Sequence, residues 1–252
     1  MPGKAVPPGG YVPGRLNRLP REMRKLKDEI MEKEDSKNEA FELGTTLFRM
    51  GDDVESYTWT KAAADDGVVE ALYECGFLHY MGIGKRRERN MKLAKSYFQR
   101  ASEAGHARAQ FFLGEIYETD PRVGNRVAAE EYAKAAAQGH TRSHYMLGRL
   151  CLGGLTKGEP PSDDDVERGR THLLEAAKAD HAKAKLALGV LYQTGQGPVA
   201  PDEAEAVKFL REAALAGDDI AQRKIAAYYK RGVVDSCPSS WRSHPTSLPE
   251  SR

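Results

Sequence analysis

The stretch AQFFLGEIYETD (Ala109–Asp120) returns as AKLALGVLYQTG (Ala184–Gly195). Aligned on the glycine that follows Leu, the phrase recurs at Gly44, Gly76, Gly114, Gly148 and Gly189, with Ala226 standing for glycine in a last copy. Successive copies lie 32 to 41 residues apart. Five positions before the anchor stand Ala71, Ala109, Ser143, Ala184 and Ala221, all small. One position before it stand Leu43, Cys75, Leu113, Leu147, Leu188 and Ile225. Three positions after it stand Leu47, His79, Tyr117, Cys151, Tyr192 and Tyr229. Those offsets fall on one face of a helix, so each copy predicts a helix, A, that packs closely through small residues.

A second predicted helix, B, follows each A. It closes at Gly67, Gly105, Gly139, Asp180 and Gly217, where a left-handed residue suits the end of a helix. Fifteen positions before these closures stand Asp52, Asn90, Gly124, Asp165 and Asp202, all favoured helix N-caps. Eleven before stand Ser56, Ala94, Ala128, Gly169 and Ala206, again small. A glycine inside a helix costs about 1 kcal/mol relative to alanine. A column of them is expected only where a neighbouring backbone approaches.

Composition narrows the function. Lys and Arg number 38 against 37 Asp and Glu, so no global field steers the chain to nucleic acid. No stretch has the ~20 apolar residues of a membrane-inserted helix. Three cysteines, Cys75, Cys151 and Cys237, have no paired spacing and predict free thiols in a reducing compartment. Cys75 and Cys151 occupy core columns of helix A. The N-terminal arm, Met1–Arg21, has four basic residues, no acid and five prolines. Its prolines and glycines argue against the amphipathic helix of a mitochondrial presequence. It is expected to lie along a partner or along the first repeats.

The columns resemble the Sel1-like repeat family, a branch of the tetratricopeptide-like helical repeats. AKLALGVLYQTGQG (Ala184–Gly197) carries the family's first half in full, and GDDIAQRKIAAYYKRG (Gly217–Gly232) repeats it with Ala226 for Gly. The third copy lacks both loop glycines and turns with Pro121 and Gly124, and the fourth carries an insertion at Gly153–Arg168. The resemblance implies an all-α, right-handed superhelical α/α solenoid of about five helix pairs. Residues 38–232 would form it, after a basic arm and capping helix (1–37) and before a disordered tail (233–252). In the capping helix, Met23, Leu26, Ile30 and Met31 form an apolar stripe expected to cover the first repeat, itself a weak copy.

The resemblance also implies a non-enzymatic scaffold, adaptor or complex subunit that binds other proteins or peptide segments and needs no cofactor or metal. The compartment expected is the cytoplasm, with mitochondria as the alternative. A mitochondrial assembly or chaperone-like factor and an enzyme with a loop-borne site are the competing readings. In tetratricopeptide-like units the residue six before the anchor faces the concave side: here Glu70, Arg108, Arg142, Lys183 and Ile220. Arg108, Arg142 and Lys183 would form a basic row with Arg149 beside it, suited to an acidic or C-terminal carboxylate segment.

Other motifs read as structure. GIGKRRER (Gly82–Arg89) lacks the Ser or Thr of a phosphate loop and falls on an A-to-B turn. SDDD (Ser162–Asp165) suits a helix N-terminus. His106, His140 and His181 recur at one repeat position after the B helix, too far apart for one metal ion, and read as turn residues.

Overall fold

The computed structural model describes residues 25, 28–30, 36–83, 88–120, 122–155 and 159–232. These form two compact units, the first ending at Ile116 and the second starting at Tyr117. The first contains α1 (Lys37–Arg49), α2 (Asp53–Asp65), α3 (Val69–Met81), α4 (Met91–Glu103) and most of α5 (Ala107–Thr119). The second contains α6 (Asn125–Ala137), α7 (Thr141–Gly153), α8 (Asp163–Lys178), α9 (Ala182–Thr194), α10 (Glu203–Leu215) and α11 (Asp219–Lys230). Among the described residues the one β pairing is an isolated bridge between Gln196 and Val199. The A helices are α1, α3, α5, α7, α9 and α11; the B helices are α2, α4, α6, α8 and α10.

Each unit stacks successive helices, and the predicted columns form the packing surfaces. Ala71, Ala109, Ser143, Ala184 and Ala221 are all wholly buried. Gly44, Gly76, Gly148 and Gly189 each meet the B helix of their own pair. A Cβ on Gly44 would lie 2.6 Å from Thr60 Oγ1, on Gly76 2.7 Å from the Phe98 ring, and on Gly148 and Gly189 2.7 Å from Leu173 and Leu210 Cγ. No real Cβ fits at those distances, so the glycine column is what lets A and B close. Cys75 and Cys151 are buried free thiols, and burial pushes the Cys151 thiol pKa up.

Helix boundaries follow the predicted caps with one correction. Asp52, Asn90 and Asp202 accept from the backbone N–H three residues on, at 3.3, 3.1 and 3.0 Å. Gly124 starts α6 with φ +79°. Asp165, however, is not an N-cap. Ser162 caps α8, its hydroxyl accepting from Asp165 N at 3.1 Å while Ser162 N donates back to Asp165 Oδ2 at 3.3 Å. This reciprocal box adds a turn, and α8 runs 16 residues where its counterparts run 13. The predicted closures all have positive φ: Gly67, Gly105, Gly139 and Gly217 at 80–90° and Asp180 at 57°.

The first pair, α1 and α2, has full-length helices. Of the proposed capping helix, Lys25 and residues 28–30 are helical, and Ile30 is buried while Asp28 and Glu29 are exposed. The rest of that helix, the N-terminal arm and the tail after Gly232 lie outside the described residues.

Candidate functional site

In the second unit the A helices leave a groove of about 550 Å³. It arises from helical spacing: Tyr145, Arg149 and Leu152 project from one face of α7, and Lys183, Leu186, Ala187, Val190 and Thr194 from one face of α9. Asp218 and Ile220 at the start of α11 close one side. Gln196 closes another, its Nε2 donating to the Leu152 carbonyl at 3.0 Å. No B helix lines it. Most of its lining is apolar, and Arg149, Lys183 and Asp218 are its charged members.

The structure separates the predicted basic residues into different roles. Lys183 is exposed at the groove edge and has no hydrogen-bond or ion-pair partner among the described residues. Arg149 also lines the groove, but its guanidinium is held by Glu118, which also accepts from the Tyr132 hydroxyl at 3.2 Å. Asp218 is committed to the backbone, accepting from Ile220 and Ala221 N–H at 3.0 and 2.9 Å. Arg142 is exposed on α7 and does not line the groove. Arg108 belongs to the first unit, where it hydrogen-bonds Tyr73 beside Glu74. Burial raises the Glu74 carboxyl pKa, and Arg108 opposes that shift.

The three repeat histidines shape helix starts. His106 Nδ1 accepts from Ala109 N–H at 3.1 Å and His181 Nδ1 from Ala184 N–H at 3.2 Å. His140 Nδ1 meets the Ser143 hydroxyl at 2.8 Å. The His106 and His181 rings stack on Tyr73 and Tyr145 of the preceding A helix at 4.6 and 4.7 Å. Burial, reinforced by Arg142 and Lys183, lowers the His181 pKa. A fourth contact had no sequence signal: His144 of α7 and His172 of α8 pair through their Nδ1 atoms at 3.1 Å. Among the described residues no three His, Cys, Asp or Glu side chains converge on a metal site, and no helix is long and apolar enough to cross a membrane.

Comparison with known proteins fits this geometry. A protective antigen of uropathogenic Escherichia coli with an SLR fold superposes with a TM-score of 0.72 at 21% identity, covering 83% of this chain and 44% of the antigen. A Sel1 repeat protein from Oxalobacter formigenes superposes with a TM-score of 0.64 at 22% identity, covering 88% of this chain and 94% of its own. A chitin synthase regulator of Malassezia restricta is 41% identical over 81 residues, 31% of this chain. The matched stretch spans only 5% of that regulator's length. The Sel1 repeat model matches residues 69–106, 107–140, 141–181 and 182–218, each an A helix with its following B helix. With four such matches over more than half its length, the chain belongs to the Sel1 repeat family.

Proposed function

We propose that this protein is an interaction scaffold that holds an apolar, acid-bearing segment of another protein in the groove between α7, α9 and α11. Sel1 repeats generally mediate protein–protein interaction, and the family is generally non-enzymatic. The observation that carries the finer reading is the charge balance of the groove. Arg149 is neutralised by Glu118 and Asp218 caps a helix, so Lys183 is the cation left for an incoming carboxylate. Tyr145, Leu152, Leu186, Ala187, Val190 and Ile220 supply the apolar bed, worth about 25 cal/mol per Å² covered.

A photo-crosslinking residue at Val190, compared with one at the exposed B-helix position Arg211, tests the location. The reading expects a partner crosslinked from Val190 and not from Arg211. The partner so identified is then titrated in purified form, and Lys183→Glu is expected to weaken binding about tenfold or more, the equivalent of 1.4 kcal/mol. Equal crosslinking from both positions, or binding indifferent to Lys183→Glu, defeats the reading.

A further inference from the structure

The first unit holds, in its own side chains, the filling that the groove of the second unit lacks. Between α3 and α5 the Phe112 ring lies against Tyr73, Phe77 and Tyr80 of α3, at 6.1, 5.5 and 5.2 Å between centroids. Counted from the anchor glycines, the residues of α7 in register with Tyr73, Phe77 and Tyr80 are Tyr145, Arg149 and Leu152, and all three line the groove. The residue of α9 in register with Phe112 is Ala187, which lines it too. Phe98, the B-helix neighbour of Phe112, has its counterpart in Leu173, part of the buried cluster that Tyr145, Leu152 and Ala187 pack against. Exposure agrees: Tyr73 is 8% exposed, whereas Tyr145 is only half-buried. Each of the two stacks on the histidine that starts the next A helix, so what the second unit lacks is the ring and not the histidine contact.

The lining favours a flat ring over an aliphatic side chain. Tyr145 offers an aromatic surface, and aromatic pairs gain more than their area burial alone supplies. Arg149 takes the place of Phe77, and a guanidinium held by a carboxylate keeps a flat face for an aromatic ring. An aliphatic side chain gains neither contact. Lys183 stands four residues before Ala187, one turn along the same face of α9. In an extended segment, at about 3.3 Å per residue, a carboxylate one or two residues from the ring comes within its reach.

We propose that the groove selects an aromatic residue of its partner: the segment inserts a Phe, Tyr or Trp side chain over Ala187, where Phe112 stands in the first unit, and sets an Asp or Glu one or two residues away against Lys183. This rests on the groove being the binding face, and adds the residue type that the face selects.

A random linear peptide library displayed on phage and selected on the immobilised full chain tests it. The selected sequences are expected to share an aromatic residue with an Asp or Glu one or two positions away. A selected peptide is then synthesised and titrated against the protein. Replacing its aromatic residue by Leu should raise the dissociation constant at least tenfold. Lys183→Glu, at an exposed position, should weaken binding at least tenfold with the melting temperature unchanged. Ala187→Phe, which supplies the ring from within the chain, should abolish binding; the other two comparisons decide the matter should that variant fold poorly. The proposal is overturned by selected peptides that lack the ring, tolerate its replacement by Leu or ignore Lys183→Glu. Where a folded Ala187→Phe still abolishes their binding, the groove stands as the binding face and only its choice of residue falls. Peptides indifferent to both protein substitutions, or a library from which nothing is selected, overturn the proposal together with the reading of the groove.

Discussion

The two units share one repeat, yet its A-helix face is filled in the first and open in the second. At matching positions around the anchor, α3 offers Tyr73, Phe77 and Tyr80 and α5 offers Phe112. These rings pack on one another: Phe112 lies 5.5 Å from Phe77, 5.2 Å from Tyr80 and 5.4 Å from Phe98, centroid to centroid. In the second unit the residue in register with Phe112 is Ala187, and the one in register with Phe77 is Arg149, drawn off to Glu118. Tyr145 is kept in register with Tyr73, and both stack on a helix-starting histidine. The frame is therefore common, and a few side-chain volumes decide whether its face is core or groove.

The frame itself is the first thing to break. Gly189→Leu puts carbon where Leu210 Cγ stands at 2.7 Å and its backbone N at 3.1 Å. Leu210 is wholly buried and cannot swing away. The expected loss is about 3 kcal/mol or more, the cost of overpacking with backbone displacement. A calorimetric melting temperature equal to wild type would show that the glycine column is not what closes the pairs.

Exchanging the residues that differ sharpens the comparison. Phe112→Ala removes a half-buried ring with five aromatic neighbours, and we expect a loss of about 2–3 kcal/mol in denaturant unfolding. Ala187→Phe grows into open space, so stability should stay within about 1 kcal/mol. On the proposed function, binding of a partner segment in the groove should also be lost. If Ala187→Phe destabilises as much as Phe112→Ala does, the groove is not open and the two faces are alike.

Much of this was legible in the sequence because the repeat samples each position several times. The columns at Ala71, Ala109, Ser143, Ala184 and Ala221 foretold burial because nothing but close packing selects small residues at one phase. The cap column failed only at Asp165, where Ser162 upstream competes for the same helix start and wins through the reciprocal bond. The basic row was legible as a register, and the surroundings of its members were not. Arg149 pairs with Glu118, 31 residues away, and no periodicity announces that contact. His172 was likewise invisible, since its partner His144 comes from the other helix of the pair. The groove depends on the volumes of side chains from three helices at once, which a column-by-column reading does not add up.

Acid should separate the units as well. His106 and His181 accept backbone N–H groups at Nδ1, which only a neutral ring can do, and burial lowers both pKa values. His172 is lowered too, by burial and by His144 and Arg168. A histidine lowered in the folded state binds its proton more readily unfolded. Its stabilisation is therefore full above the ordinary value of about 6.5 and is lost as pH falls through that value toward the folded pKa. Two of these three histidines, His172 and His181, are in the second unit. Hydrogen exchange at about pH 5.5 against about pH 7.5 should show protection falling more in α7 to α9 than in α3 to α5. His181→Asn, which retains a capping side chain without titrating, should reduce that difference. Equal loss in both units would assign the pH response elsewhere.

The smallest difference lies at the B-helix closures. The first unit closes α4 with Gly105 at φ +87°, whereas the second closes α8 with Asp180 at φ +57°. A non-glycine residue there carries a steric cost of about 1–2 kcal/mol, reduced for a short polar side chain. Asp180 offsets part of it by accepting from Lys185 Nζ at 2.8 Å. Lys185 is largely buried and also pairs with Glu212 at 3.2 Å, so it keeps one carboxylate if Asp180 is removed. Asp180→Gly thus gains backbone ease and loses one well-solvated ion pair worth about 0–1 kcal/mol, and should change stability by less than about 0.5 kcal/mol. Asp180→Ala loses the pair and keeps the strain, and Gly105→Ala introduces the strain outright; each should cost about 1 kcal/mol. Paired urea titrations would rank the three. If Asp180→Gly proved as costly as Asp180→Ala, the Lys185 contact, and not the backbone, would be what fixes this turn.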